Sequence, residues 1–196
     1  MIGNMSTEVV SIDFSVPALW RAWRHFRKGK KASAAIDTFT FYLEANLHEL
    51  CHDLDRNRYR HGGYNTFEVT DSKRRRIMAA GIRDRVVHRL LYDYLVPIFD
   101  PRFIYDAWSC RKGKGLLAAI ERAQELSRNY PHAWVWRADI SKFFESVDRS
   151  VLWRLILRRV KNERALLLLH EVIFGACRHT HTHTHTETAA EFRSAT

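Results

Sequence analysis

The most constraining feature of the chain is a segment in which an apolar run leads to an isolated carboxylate. Residues 134–150 read WVWRADISKFFESVDRS, and Asp139 follows two tryptophans and a valine. Such a run predicts a strand over 133–140, because aromatic and β-branched residues favour strands. A carboxylate at the end of a buried strand is costly unless it is paired, hydrogen-bonded or bound to a metal. The segment therefore predicts either a capping or salt-bridged aspartate or a metal ligand at Asp139.

The composition indicates a basic, globular protein. The 196 residues are 46% apolar, and 32 Lys and Arg against 22 Asp and Glu give a formal net charge of +10. This excess favours a polyanionic partner, and nucleic acid before a membrane surface. No stretch approaches the roughly 18 to 20 apolar residues of a membrane span, and the N-terminus has no basic region followed by an apolar run. We therefore expect a cytoplasmic protein with no membrane partner.

Cysteine spacing gives no sign of a structural framework. Cys51, Cys110 and Cys177 lie far apart, and no Cys-x-x-Cys pair occurs. We expect reduced thiols rather than a disulfide or a zinc site.

Helical periodicity covers most of the chain. An amphipathic helix is predicted over 16–31, with a basic face formed by Arg21, Arg24, Arg27 and Lys28. Gly62 and Gly63 interrupt the pattern, and the loose alternation that follows predicts a basic β-hairpin. Further helices are predicted over 34–55, 86–97, 116–127, 151–156 and 163–174.

The end of the chain differs in composition. Residues 179–186 read HTHTHTHT, and the ten that follow have no periodicity. In an extended chain the four histidines would share one face, and zinc or nickel is then a candidate ligand. Translation of a CA dinucleotide repeat also yields alternating His and Thr, and slippage in such a repeat shifts the reading frame. On that interpretation the tail interrupts a longer domain.

The run RADISKFFESVD over 137–148 resembles the first catalytic motif of reverse transcriptases, in which an aromatic residue follows an aspartate by five positions. The segment from Asp71 to about residue 124 is similar to the fingers region of bacterial reverse transcriptases of the group II intron, retron and diversity-generating type. The blocks occur in family order over roughly residues 46–175. The resemblance implies an RNA-directed DNA polymerase.

The resemblance implies roles for three residues of the first motif. Asp139, with the backbone carbonyl of Ile140, would coordinate catalytic Mg²⁺, with Mn²⁺ as an alternative ion. Phe144 would lie against the sugar of the incoming nucleotide and exclude a 2′-hydroxyl. Without the family, Phe144 is a core phenylalanine beside Phe143.

Two basic clusters receive binding roles from the same resemblance. Lys73 and Arg76, with Arg75 as a close competitor, would grip the triphosphate of a deoxynucleotide, although a charge run is ordinarily a solvated face. The segment SCRKGKG is equally typical of a flexible glycine turn with solvated lysines. The resemblance instead places three of its cations close to the RNA template or the incoming nucleotide. These three are Arg111, Lys112 and Lys114.

The helix that follows the hairpin carries three polar residues of interest. Asp84 and Arg85 are interpreted as a solvated pair at the helix start. His88 is interpreted as a hydrogen-bonded core histidine without a catalytic role. The resemblance makes this helix a support for the template path.

The implied fold is α+β: the fingers and the N-terminal part of the palm of a right-hand polymerase, helix-rich with a basic β-hairpin, without the thumb or the rest of the palm. The predicted regions are a basic helical extension over 1–33, fingers over 34–132, a partial palm over 133–176 and a low-complexity tail over 177–196.

The sequence departs from the family at the second catalytic motif. Polymerisation requires carboxylates that hold two metal ions roughly 3.5 to 4 Å apart, and the family supplies two of them from a Tyr-x-Asp-Asp turn. The 196 residues contain no such turn. We expect a truncated reverse transcriptase that binds RNA template, primer and dNTP and is inactive alone. The alternatives are a non-enzymatic basic RNA-binding module with the fingers fold and, third, a metal protein built on the histidine tract.

Overall fold

The computed structural model describes residues 10–70 and 74–175. These residues form a helix-rich α+β structure with one two-stranded antiparallel sheet. The helices and strands are α1 Val16–Arg27, α2 Ala34–Phe41, α3 Leu43–Asp55, β1 Tyr64–Thr70, β2 Arg74–Ala80, α4 Ile82–Phe99, α5 Leu116–Asn129, α6 Phe143–Ser146, α7 Arg149–Leu157 and α8 Glu163–Phe174.

The first helix follows directly from its sequence pattern. Ser15 caps α1 by accepting a hydrogen bond from the N–H of Ala18, and Pro17 lies in the first turn, where no intrahelical donor is lost. The apolar face buries Leu19, Trp23 and Phe26. The opposite face is basic, as the sequence predicts.

The helix predicted over 34–55 is two helices. Tyr42 both ends α2 and begins α3, and the side-chain amide of Asn46 donates to the carbonyl of Phe39 across the break. The residues before Tyr42 alternate threonine and phenylalanine, which have modest helix propensity, and this explains why the helix ends there.

The chain divides into two compact units. Of the described residues, the first unit contains 10–70, 74–94 and 149–175, and the second contains Leu95–Asp148. The first unit buries side chains from six of its helices, including Leu19, Leu50, Val86 and Leu168. These boundaries do not follow the predicted divisions at residues 33, 132 and 176, and the functional assignment of those regions stays a prediction.

The second unit is almost entirely exposed. None of its described side chains is buried, and Trp134, Val135 and Trp136 are 99%, 89% and 88% exposed. The strand predicted before Asp139 is wrong, because residues 133–140 form neither helix nor strand. A strand requires a hydrogen-bonded neighbour. In the described part of the chain, the two strands that form pair only with each other.

No helix within the described ranges has both the length and the apolar character to cross a bilayer. Of the cysteines, Cys51 and Cys110 are free thiols, and Cys177 lies outside the described residues.

Candidate nucleic-acid interface

The predicted basic hairpin is present, and its register decides which arginines share a face. Arg76 pairs with Glu68, and Arg75 pairs with Val69. Since neighbouring residues of a strand point to opposite faces, Arg75 and Arg76 present their guanidiniums on opposite sides of the ribbon. Both are exposed, and neither guanidinium has an ion-pair or hydrogen-bond partner within residues 10–70 and 74–175. Lys73 lies outside the described residues.

The arginine at the start of β2 is partly neutralised. Arg74 donates to the Glu68 carboxylate from Nε at 2.7 Å, and both side chains are at least half exposed. An exposed pair of this kind contributes little to stability. Its effect is on charge, because it leaves Arg75 and Arg76 as the unneutralised cations of this strand.

A buried polar cluster holds the base of the hairpin. Asp84 is 4% exposed, and its two carboxylate oxygens accept hydrogen bonds from the Tyr59 hydroxyl at 2.7 Å and from the N–H of Gly62 at 3.1 Å. The interpretation of Asp84 as a solvated carboxylate is therefore wrong. A Cβ on Gly62 would lie 2.8 Å from Asp84 Oδ2, so glycine is required for this approach.

Two imidazoles complete the cluster. Nδ1 of His61 donates to the carbonyl of Gly62 at 2.6 Å, and Nε2 of His61 lies 3.0 Å from Nε2 of His88, so the two rings share one proton in that contact. The Glu171 carboxylate accepts from the backbone N–H of His61 at 3.2 Å. Prediction of His88 as a hydrogen-bonded histidine is confirmed. Sequence reasoning missed His61 and Glu171, and no periodic pattern marks either.

Burial sets the proton affinities in this cluster. Burial, and then the neighbouring His61 ring, lower the pKa of His88 below its ordinary value. Burial, followed by the charge of Asp84, raises the pKa of Tyr59. Both groups are therefore held neutral near pH 7, and the Asp84 carboxyl is the acceptor around which the donors are arranged.

In the second basic cluster, formed by Arg111, Lys112 and Lys114, Arg111 stabilises its own loop. Arg111 is 13% exposed and donates to Asp100 Oδ1 at 2.7 Å and to the carbonyls of Ile104 and Ala107 at 3.1 Å each. This contact with Arg111 lowers the pKa of Asp100. A guanidinium engaged in this way has little capacity left for a phosphate.

The lysines of this cluster differ from one another. Lys114 Nζ lies 3.9 Å from the ring centroid of Tyr105 and 4.2 Å from that of Trp108, so it forms cation–π contacts within the loop. Lys112 is exposed. Of the three cations predicted to lie near the template, Lys112 is the most accessible.

The residues of the predicted metal site lie in a solvent-exposed stretch. Asp139 is exposed, and its Oδ1 accepts a hydrogen bond from the N–H of Ile140 at 3.0 Å. Phe144 is 93% exposed and contacts Phe143 edge-to-face at 5.3 Å between ring centroids. The alternative of a core phenylalanine at position 144 is therefore wrong.

The described donors fit only part of a two-metal site. In the ranges 10–70 and 74–175 there is no group of three or more His, Cys, Asp or Glu side chains arranged to hold a metal ion. Asp139 and the carbonyl of Ile140 offer hard oxygen donors of the type that Mg²⁺ prefers, but they are too few for two ions. The histidine tract lies outside the described residues.

The candidate residues are distributed over both compact units. Arg75 and Arg76 belong to the first, and the loop cations, Asp139 and Phe144 belong to the second. The structure thus joins Arg111 and Lys114 in one loop and places Arg75 and Arg76 on one hairpin.

Comparison with known proteins shows a partial similarity to an intron maturase. No family model matches the chain. Nuclear intron maturase 1, mitochondrial, of Arabidopsis thaliana is 29% identical to it over 87 residues, which is 44% of this chain and 12% of that protein. The matching region thus spans about an eighth of that relative. This similarity supports a coarse relationship to the reverse-transcriptase and maturase group.

Proposed function

We propose that this chain is an RNA-binding fragment of a reverse-transcriptase-related protein, and that its hairpin contacts the RNA phosphates. The observation that carries the proposal is the pair Arg75 and Arg76, which are exposed and lack partners in the described ranges. The hairpin base is fixed by the buried cluster around Asp84, so the two guanidiniums stand on a defined support. Similarity to an intron maturase favours RNA over other polyanions.

In the intact polymerase we propose a further role for these cations. Lys73, Arg75 and Arg76 would bind the triphosphate of a dNTP, and Phe144 would contact its sugar. Because Arg75 and Arg76 point to opposite faces, only one of them can contact a given triphosphate from one side of the ribbon. Arg76 shares its face with the Arg74–Glu68 pair, whereas Arg75 lies opposite Val69.

In the intact polymerase, Asp139 and the Ile140 carbonyl would hold Mg²⁺ or Mn²⁺. When bound, the metal activates the primer 3′-hydroxyl and neutralises phosphate charge. The 196 residues lack a Tyr-x-Asp-Asp turn, so we propose that this chain alone extends no primer with either ion. Robust primer extension by the purified chain would refute this part of the proposal.

The test is RNA binding by a hairpin variant at low salt. Replacing Lys73, Arg75 and Arg76 together with alanine should weaken micromolar RNA binding by more than tenfold, because up to three phosphate contacts are lost. A matched control replaces three scattered, exposed cations, Arg56, Arg128 and Lys161, with alanine and removes the same charge. Equal losses in the two variants would show that the net charge, not the hairpin, binds RNA.

A non-enzymatic RNA-binding module remains the second candidate. The engagement of Arg111 and Lys114 within their own loop favours it, because these cations then stabilise structure instead of a template. Saturating dNTP binding in the presence of Mg²⁺ separates the two candidates, since only the polymerase-derived site requires it.

A further inference from the structure

A surface on the first helix combines the two chemical features that unpaired RNA requires. An open groove of about 600 Å³ lies between α1 and α3, with Pro17, Trp20, Leu43 and Leu47 as its apolar lining and Arg21 and Glu44 as its polar lining. Leu47 is 2% exposed and forms the floor, whereas Trp20 is 45% exposed and forms a wall. A tryptophan this open leaves much of its indole surface free for a planar ligand.

A second groove begins where the first one ends. It follows the basic face of α1 and is lined by Arg21, Arg24, Arg27 and Lys28 together with Trp23 and His25. Arg21 belongs to both grooves. The apolar groove and the basic groove therefore meet at Arg21.

The charges of the two grooves favour a base in the first groove and phosphates in the second. Glu44 is exposed beside the apolar groove and repels a phosphate there, but its carboxylate accepts a hydrogen bond from the amino group of a base. Arg21 donates to Asp13 at 3.5 Å, and both side chains are more than half exposed, so the pair is weak and a phosphate can replace Asp13.

We propose that α1 and α3 form a binding site for single-stranded RNA, with a base stacked on Trp20 and the adjoining phosphates on Arg21 and Arg24. Aromatic platforms beside cationic grooves bind single strands because every base has a face that stacks. A duplex hides those faces, so the site discriminates against it. This site deepens the proposed function and rests on it, since it requires that the chain binds RNA.

The experiment measures the affinity of the full chain for three RNAs of equal length: a single-stranded oligonucleotide, its abasic counterpart and a duplex. The preference for the normal strand over the abasic strand reports stacking, whereas the abasic strand and the duplex report phosphate contacts alone. Trp20→Ala should reduce that preference by about tenfold. Trp20→Phe, which keeps a ring, should retain most of it.

Two further variants keep the result interpretable. Trp20→Leu preserves apolar packing without a ring and should lose the preference as Trp20→Ala does, so an unchanged preference in it would overturn the site. Tyr92→Ala removes an aromatic side chain of similar exposure, 42%, from α4 and should leave the preference intact. Arg24→Gln should weaken binding of all three RNAs by a similar factor.

The failures of the two proposals differ. If the unmodified chain binds none of the three RNAs at low salt, the proposed function fails and this site fails with it. If it binds all three RNAs and the Trp20 variants retain its preference, only the stacking site is overturned. A concentration-dependent dimer in sedimentation that Trp20→Ala abolishes would identify the groove as a contact between two copies, and would overturn the site.

Discussion

The hairpin base and the segment around Asp139 show how differently two carboxylates can be held in one chain. Asp84 is buried and accepts two hydrogen bonds from fixed donors. Asp139 is exposed, and its one described hydrogen bond comes from the next residue. Asp84 is therefore a structural anchor of the hairpin, whereas Asp139 contributes little to folding.

The largest expected effect separates these two aspartates directly. Asp84→Ala leaves the Tyr59 hydroxyl and the Gly62 N–H without their acceptor, so the free energy of unfolding should fall by about 2–4 kcal/mol. Asp139→Ala should change it by less than about 0.5 kcal/mol. Urea unfolding followed by circular dichroism measures both. A comparable loss in both variants would remove the distinction.

Substitutions at two glycines test the close approach of Gly62 to Asp84 at the hairpin base. Gly62→Ala places a Cβ 2.8 Å from Asp84 Oδ2, and we expect a loss of about 1–3 kcal/mol. The matched control is Gly81→Ala, whose Cβ would lie 3.9 Å from the same oxygen. Thermal unfolding should show a lower midpoint for the first variant only. Equal midpoints would mean that Asp84 moves away without cost.

Helix and hairpin positions follow from sequence more reliably than burial does. The bounds of α8 and the ribbon after Gly62 were predictable, because helical periodicity and glycine punctuation are local signals. The strand before Asp139 was not, because a strand depends on a neighbour that local sequence does not reveal. The same holds for Asp84, whose donors Tyr59 and Gly62 lie more than 20 positions earlier in the chain.

The candidate binding residues were also predictable only in part. Sequence reasoning correctly placed Arg75 and Arg76 on a hairpin, but it could not show that they face opposite sides, which follows from the register. It also could not foresee that Arg111 is engaged by Asp100, since that contact depends on how the loop folds back.

His88 should give the stability of the first unit a pH dependence between pH 5.5 and 7.5. The folded pKa of His88 is lowered from 6.5, so the unfolded chain binds more protons as the pH falls through about 6.5. Stability should therefore decrease on acidification from pH 7.5 to 5.5, with a slope of at most about 1.4 kcal/mol per pH unit. Asp84 opposes this shift and Arg85 adds to it.

Urea titrations at several pH values measure that slope. His88→Gln should flatten it, and His48→Gln, which changes an exposed histidine on α3, should leave it as it is. A slope that survives in His88→Gln would assign the pH dependence to another group.

A small effect on global stability is also expected from the Arg111 contacts in the second unit. Arg111→Ala removes the contacts to Asp100 and to two carbonyls, yet the unit buries no described side chain, so unfolding should change by about 1 kcal/mol or less. Limited proteolysis should instead cleave residues 100–115 more rapidly. Arg111→Lys should not restore protection, because an ammonium cannot reproduce the forked donor. An unchanged rate of proteolysis would show that Arg111 does not stabilise this loop.

If the hairpin cations bind RNA phosphates, the affinity for RNA should depend on the salt concentration. The plot of log affinity against log salt for the unmodified chain should fall steeply, and replacing Lys73, Arg75 and Arg76 with alanine should reduce that slope by roughly 2 to 3. Identical slopes for the two proteins, or an affinity independent of salt, would contradict the account.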